Sequence, residues 1–404
     1  MSQTVTKVSA EGLPGWVARL VLAMAGVFAA ATSYLAWTRN THELVLRHRF
    51  PTWYRDGYVL FDGYGDFTDV LYEYLKSPGP EQSTLLSQFL TGYLHSNTPV
   101  YPGLSALARL AGLSTVWACV LVSLLSSIVC VLLFVQLVKQ MSGRSRLDGP
   151  GLLCAAGFVL HVPVLSGFVR PLPDMTALAI QLLFFLSYGW FRERPRAWPL
   201  LVCVAAVVVG TLTKTYMLLL IPTLGLLLLR DFVTRPDVRR SRGVLAVAGV
   251  FAAAGAAKVA MIVAAGETAV SIGYIQAAAM NAFEMLRDPP PTEALVRAGG
   301  LFFVLALGAY PLLMLAGGRD LRRSDWALEH ALWIAIYVAQ RFLFLGFSTQ
   351  YGRARYGIPL AASVLLLSLP GMRRLWERPA GRLVAALPLA CGLVIWLWFL
   401  LGLG

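Results

Sequence analysis

The stretch Phe61 to Pro78, FDGYGDFTDVLYEYLKSP, packs three aspartates and a glutamate among aromatics, in a chain that is 57% hydrophobic and only 14% charged. Asp56, Asp62, Asp66, Asp69 and Glu73 crowd this region, and Asp174 stands further along. Opposite in sign are Arg170, Lys214, Arg341, Arg353 and Arg355, each at or near the end of an apolar run. Carboxylates that can take a proton from a hydroxyl, facing cations that can hold a phosphate, are the groups that transfer from a lipid phosphate requires. The carboxylate accepts or orients the proton of the acceptor. The cations neutralise charge growing on the departing phosphate, and Arg can do so bidentately.

Each of these residues also fits a plainer role. Asp66 precedes an apolar-periodic run and fits a helix N-cap, a position where Asp is favoured. Asp62 and Asp69 fit solvated surface positions. Asp174 follows Pro171 and Pro173 and could cap the next helix. Lys214 lies between two apolar runs and could simply extend its amine to the interface. GRARYG, Gly352 to Gly357, fits an ordinary charged interfacial loop. Deeper in the chain, Lys258 sits amid AAAGAAKVAMIV, and an ionisable group at mid-membrane depth is by default a functional candidate. Glu329 and His330 open the run near 326–346, where His330 reads as interfacial.

The elements that must position these groups are transmembrane helices. About 11 apolar runs read as spans, near 15–37, 114–140, 150–168, 173–191, 197–213, 215–230, 244–264, 296–317, 326–346, 357–371 and 382–403. The runs 150–168, 197–213 and 215–230 are short, and their ends carry GFVRPLPD and TLTKTY. Helices that stop short imply a cavity there, because lipid does not accept exposed irregular backbone. The expectation is an all-α polytopic membrane protein, a single transmembrane domain over 1–404. Its long first loop, 38–113, carries amphipathic helices in DVLYEYLKS and EQSTLLSQFLTGYL that lie on the membrane surface.

The formal charge of +13 does not point to nucleic acid, because the arginines fall in short loops that alternate with loops poor in Lys and Arg. That is the positive-inside pattern. It implies a multi-pass protein of the cell (inner) membrane, with the N-terminus cytoplasmic and the acidic loop facing the periplasm or exterior. The N-terminal run lacks an A-x-A-like cleavage site and reads as a retained first helix. The five cysteines, all within apolar runs and without CxxC spacing, support neither a disulfide framework nor a zinc site. The histidines show no metal-ligand spacing. No internal repeat supports an inverted-repeat transporter.

Four segments resemble the GT-C superfamily of membrane glycosyltransferases, which use polyprenyl-phosphate-linked sugars. GYGDFTDVLYEY resembles the acidic motif of that family's first loop. NTPVYPGLSAL, Asn97 to Leu107, resembles the entry to its second span. GFVRPLPDMTALAIQLLFF resembles its RPD segment, although Leu172 and Pro173 here separate Arg170–Pro171 from Asp174. GTLTKTYMLLLIPTLGLLLL resembles the stretch in which a Lys precedes a Pro-bearing helix. The resemblance covers most of the chain in architecture, through short and degenerate motifs.

It implies transfer of a monosaccharide from a polyprenyl-phosphate donor to a hydroxyl of a glycan or lipid acceptor, by a direct displacement that inverts the anomeric centre. It places the general base at Asp66, with Asp62 or Asp69 as alternatives, and gives Asp174 the acceptor or the sugar. Arg170, Lys214, Arg353 and Arg355 would grip the donor phosphate, assisted by Arg341. The first loop has no adjacent Asp–Asp or Asp–Glu pair, as many members have. That departure leaves metal dependence open: the resemblance fixes no cofactor, and a divalent ion, Mg or Mn, is the one it allows. A transporter or flippase of lipid-linked glycans and an O-antigen ligase or polymerase are the competing readings. A ligase or polymerase would place its large loop later in the chain.

Overall fold

The structure is a computed structural model, and it describes residues 14–47, 64–92, 98–249, 287, 304, 306–322, 324–344 and 357–401. Among the described residues every regular element is helical and none is a strand. Among the described residues six helices are long and apolar enough to cross a membrane, consistent with a membrane protein.

The elements run α1 (Gly15–Arg47), α2 (Tyr64–Lys76), α3 (Pro80–Gly92), α4 (Val100–Leu110), α5 (Thr115–Ser142), α6 (Gly149–Val159), α7 (Val162–Gly167), α8 (Asp174–Glu193) and α9 (Ala197–Thr211). A 3-10 turn, Thr215–Leu219, leads into α10 (Leu220–Thr234) and α11 (Pro236–Arg240). After a helix over 242–249 come α12 (Tyr310–Ala316), α13 (Gly318–Arg322), α14 (Asp325–Phe344), α15 (Ile358–Trp376) and α16 (Pro379–Leu401).

The expected run 150–168 does not form one helix. It breaks at Leu160–His161, and Pro163 opens the short α7; proline is accepted in a first turn, where its missing N–H costs nothing, but not in a helix interior. The run 197–213 is the 15-residue α9, and 215–230 begins as a 3-10 turn before α10. Six spanning helices are therefore what the described residues show. The runs near 244–264 and 296–317 fall largely outside them, as do Lys258 and the segment 265–295.

α8 and α15 form the centre of the bundle. In their apolar windows 78% and 83% of residues are buried, against 22% for α1 and α16, whose leucines and valines face outward. In a bilayer such outward side chains meet lipid rather than water, so an exposed apolar face on a peripheral helix is stable. α5 and α6 pack on each other through Phe134 and Phe158, whose rings stack at 4.1 Å. Gln181 of α8 and the Trp333 indole of α14 both donate to the Pro359 carbonyl of α15, at 2.9 and 2.7 Å. α12 crosses α15 so closely that a Cβ on Gly371 would sit 1.9 Å from the Leu313 carbonyl oxygen, so only glycine fits there.

The helices give the molecule two ends. α8 begins at Asp174 and finishes beside Arg192, and the two residues mark these ends below. Gly143 closes α5 in the left-handed conformation (φ 61°), and its N–H and that of Arg144 bond back to the Gln140 and Lys139 carbonyls. Just beyond, Asp148 caps α6 through the Gly151 N–H at 2.9 Å and pairs with Arg144 at 2.8 Å.

Candidate functional site

The acidic loop region folds onto the Asp174 end. Alternating aromatic and acidic residues in YGDFTDVLYEY become one amphipathic helix, α2, that buries Tyr64, Gly65, Phe67 and Thr68. Tyr64 meets Tyr101 of α4 edge-on, with centroids 5.8 Å apart. The Tyr101 hydroxyl donates to the Cys119 carbonyl at 3.0 Å and lies 3.1 Å from the Ser123 hydroxyl, both on α5. Leu172, from the turn before α8, completes this cluster. α2 is thereby seated on α4, α5 and the Arg170–Asp174 turn.

Asp174 and Lys214 come together here, Nζ to Oδ1 at 3.2 Å, with Asp174 buried and Lys214 half-buried. Asp174 is the first residue of α8, one position inside its N-cap Pro173, and its carboxylate meets the Lys214 ammonium. Lys214 likewise points to a partner rather than only to the interface. Its Nζ also stands 5.8 Å from the centroid of the Tyr64 ring, which links the pair to α2. The N–H of Val100, at the start of α4, donates to the Leu212 carbonyl at 3.1 Å, so α4 is tied to the same turn that delivers Lys214.

Asp66 stands in the first turn of α2, two residues inside it, since Tyr64 is the first helical residue. It is therefore not itself the N-cap. No hydrogen bond or ion pair among the described residues engages its carboxylate. Partial burial, and secondarily the neighbouring Asp69 charge, push its pKa above the ordinary carboxylate range. Asp69 is engaged differently. Its Oδ1 accepts from Arg109 of α4 and from the Thr115 hydroxyl at the start of α5, each at 2.5 Å. The Arg109 guanidinium also lies 3.8 Å from the centroid of the Tyr72 ring, a cation–π contact that holds it in place. Of the two described candidates for a base, Asp66 is the unengaged one and Asp69 ties three helices together.

Arg170 sits partly buried on the turn that leads to Asp174, and its N–H bonds back to the Gly167 carbonyl at 3.3 Å. Arg341 belongs to the last turn of α14, one turn beyond Tyr337. Tyr337 packs edge-on against Tyr216, two residues after Lys214, at 5.8 Å, so α14 approaches this end too. Asp56, Asp62, Arg353 and Arg355 lie outside the described residues, as does the Arg341 side chain.

Arg109, Tyr64 and Tyr101 were not singled out in the sequence. Arg109 stands in ALARLAGL, and a lone guanidinium in a first-loop apolar helix was the available signal; its acidic partner lies forty positions earlier. Among the described residues no group of three His, Cys, Asp or Glu side chains converges to hold a metal.

Glu329 and His330, read as opening a span, are fully buried at the Arg192 end. Glu329 pairs with Arg192 at 2.5 Å, and Arg192 and Arg230 both reach Asp325 at 2.9 and 3.0 Å. The Tyr188 hydroxyl donates to buried Asp231 at 2.9 Å. His330 Nδ1 lies 3.0 Å from the Ser363 hydroxyl of α15, so it is a packed core histidine. This network joins α8, α10 and α14 and is separated from the Asp174–Lys214 pair by the length of α8.

No protein-family model matches the chain, and no curated protein sequence matches it significantly.

Proposed function

We propose that the chain is a membrane glycosyltransferase that moves a monosaccharide from a polyprenyl-phosphate donor to an acceptor hydroxyl on the extracytoplasmic face. The observation that carries this reading is the unengaged, partly desolvated Asp66 on a helix docked against the Asp174–Lys214 pair. A carboxylate with a raised pKa and no ion-pair partner among the described residues suits a general base, because basicity grows with pKa so long as the group is ionised at the working pH.

In the proposed reaction Asp66 takes the proton of the acceptor hydroxyl as its oxygen attacks the anomeric carbon. The bond from that carbon to the phosphate oxygen breaks, and the electron pair leaves with the polyprenyl phosphate. Lys214 and Arg170 stabilise the charge on the leaving phosphate, together with Arg341, Arg353 and Arg355 where the chain brings them to the site. A phosphate arriving at Lys214 competes with Asp174 for the ammonium, so donor binding would loosen the ion pair and release Asp174 to orient the sugar or acceptor. A single displacement inverts the anomeric centre, and Asp69, held by Arg109, keeps α2 in register for it.

The test is turnover. Full-length protein in phospholipid vesicles is incubated with polyprenyl-phosphate hexoses and aminosugars plus extracted envelope lipid, and released polyprenyl phosphate is measured by mass spectrometry. Release from at least one donor is expected, and Lys214→Ala should weaken donor binding. Absence of release from every donor would defeat the reading.

A further inference from the structure

We propose that the Arg192 end carries a binding site for an anionic phospholipid, separate from the Asp174–Lys214 region. Among the described residues three cavities open there, one of them beside the Arg192–Glu329 pair, and the other two form the proposed site. The first of these two, about 400 Å³, lies between the end of α5 and α8 and is walled by Lys139, Arg144, Trp190 and Glu193 among others. The second, about 220 Å³, is walled by Trp190, Glu193, Arg194, Arg196 and Trp198. Trp190 and Glu193 are common to both, so the cavities meet at one wall.

The walls present four cations against one carboxylate. Arg144 is already paired with Asp148 at 2.8 Å, whereas Lys139, Arg194 and Arg196 enter no ion pair among the described residues. Glu193 is occupied by Gln140, which donates to it at 3.2 Å. The unspent charge is therefore positive, and a phosphate is the group it suits.

A lipid, rather than a soluble phosphate, is indicated by what lies below the cations. Trp190 and Trp198 are exposed, and their rings lie 5.6 Å apart; tryptophan at a span end marks headgroup depth. From each cavity an exposed apolar stripe runs along the spanning helices. On α5 Lys139 and Gln136 continue to Leu132, which is 61% exposed, at the three- and four-residue spacing of one helical face. On α9 Trp198 continues to Leu201 and Val208, also exposed. A headgroup held by the cations would lay its acyl chains along these stripes.

The test uses full-length protein, first freed of lipid in detergent and then offered phosphatidylglycerol, diphosphatidylglycerol or phosphatidylcholine, with retained lipid read by native mass spectrometry. Wild type should retain the two anionic lipids and not phosphatidylcholine. Arg194→Ala combined with Arg196→Ala should weaken retention roughly 30-fold, given the usual contribution of each cation near a charged headgroup. Arg239→Ala with Arg240→Ala, on α11 at the same end but outside both cavities, should retain lipid like wild type. Should the first pair disturb folding, as judged by melting in lipid-free detergent, Lys139→Gln with Arg194→Gln tests the same cations. Equal retention of phosphatidylcholine, unchanged retention in the cavity variants, equal loss in the α11 control, or displacement of the lipid by millimolar inorganic phosphate would each overturn the proposal. None of these outcomes depends on the glycosyltransferase reading.

Discussion

Asp66 owes its character to what surrounds it. Burial and the Asp69 charge favour its protonated form, and Arg109 limits the second effect by pairing with Asp69 at 2.5 Å. In Arg109→Ala the Asp69 charge acts on Asp66 unopposed, so the acidic limb of the pH–rate profile should move to higher pH. Arg109→Lys, which keeps the charge, should restore much of it. An unmoved profile would mean that Arg109 serves only to pack α2 on α4. The same environment sets a stability dependence. Because the folded-state pKa of Asp66 is raised, its favourable contribution is complete below the ordinary carboxylate value and is lost as pH rises through the raised one. Melting temperatures across mildly acidic pH should therefore fall less in Asp66→Asn than in wild type. The opposing acidic and basic sets were visible as residue types, and Asp174 and Lys214 do meet. The part played by Arg109 was not visible, because its contact with Asp69 joins separate helices and leaves no periodic trace.

At the scale of elements, hydropathy located the long helices well, since α1, α5, α8, α15 and α16 start within a few residues of the apolar runs that mark them. It failed where proline governs. A run of apolar residues through Pro163 has spanning hydropathy, yet the backbone breaks at His161. Hydropathy was also silent on which helices are central, because lipid-facing and core-facing leucines look alike in a chain whose surroundings are themselves apolar. What joins α8 to α14 is polar instead. Glu329 is almost completely buried and depends on Arg192, so Arg192→Ala would leave a buried carboxylate without its main partner. Truncating one partner of such a pair costs about 3–5 kcal/mol, and a comparable loss is expected in Arg192→Ala by reversible unfolding in mixed micelles. Arg192→Ala together with Glu329→Gln should recover most of it. A single variant as stable as wild type would show that the network does not brace these helices.

The whole molecule is organised by the separation of its two ends. Docked surface helices and the Asp174–Lys214 pair occupy one, while the Arg192 network and the arginine-rich connections occupy the other. The positive-inside asymmetry leads us to propose that the second end faces the cytoplasm, which is tested with two single cysteines, Ser77→Cys after α2 and Ser145→Cys after α5, in a background where the exposed Cys391 is replaced by serine. In intact cells a membrane-impermeant maleimide should label the first and spare the second until the membrane is opened. The reverse pattern would put the proposed base on the wrong side for a donor presented outside.

Removal of the acceptor proton is the role proposed for Asp66. Its most direct test compares wild type with Asp66→Asn in vesicles, measuring the rate of polyprenyl phosphate release and, separately, the affinity for the donor. General-base catalysis contributes about 10²–10⁴-fold, so release should fall by that order while donor affinity and melting temperature are retained. Release at the wild-type rate from Asp66→Asn would contradict the claim.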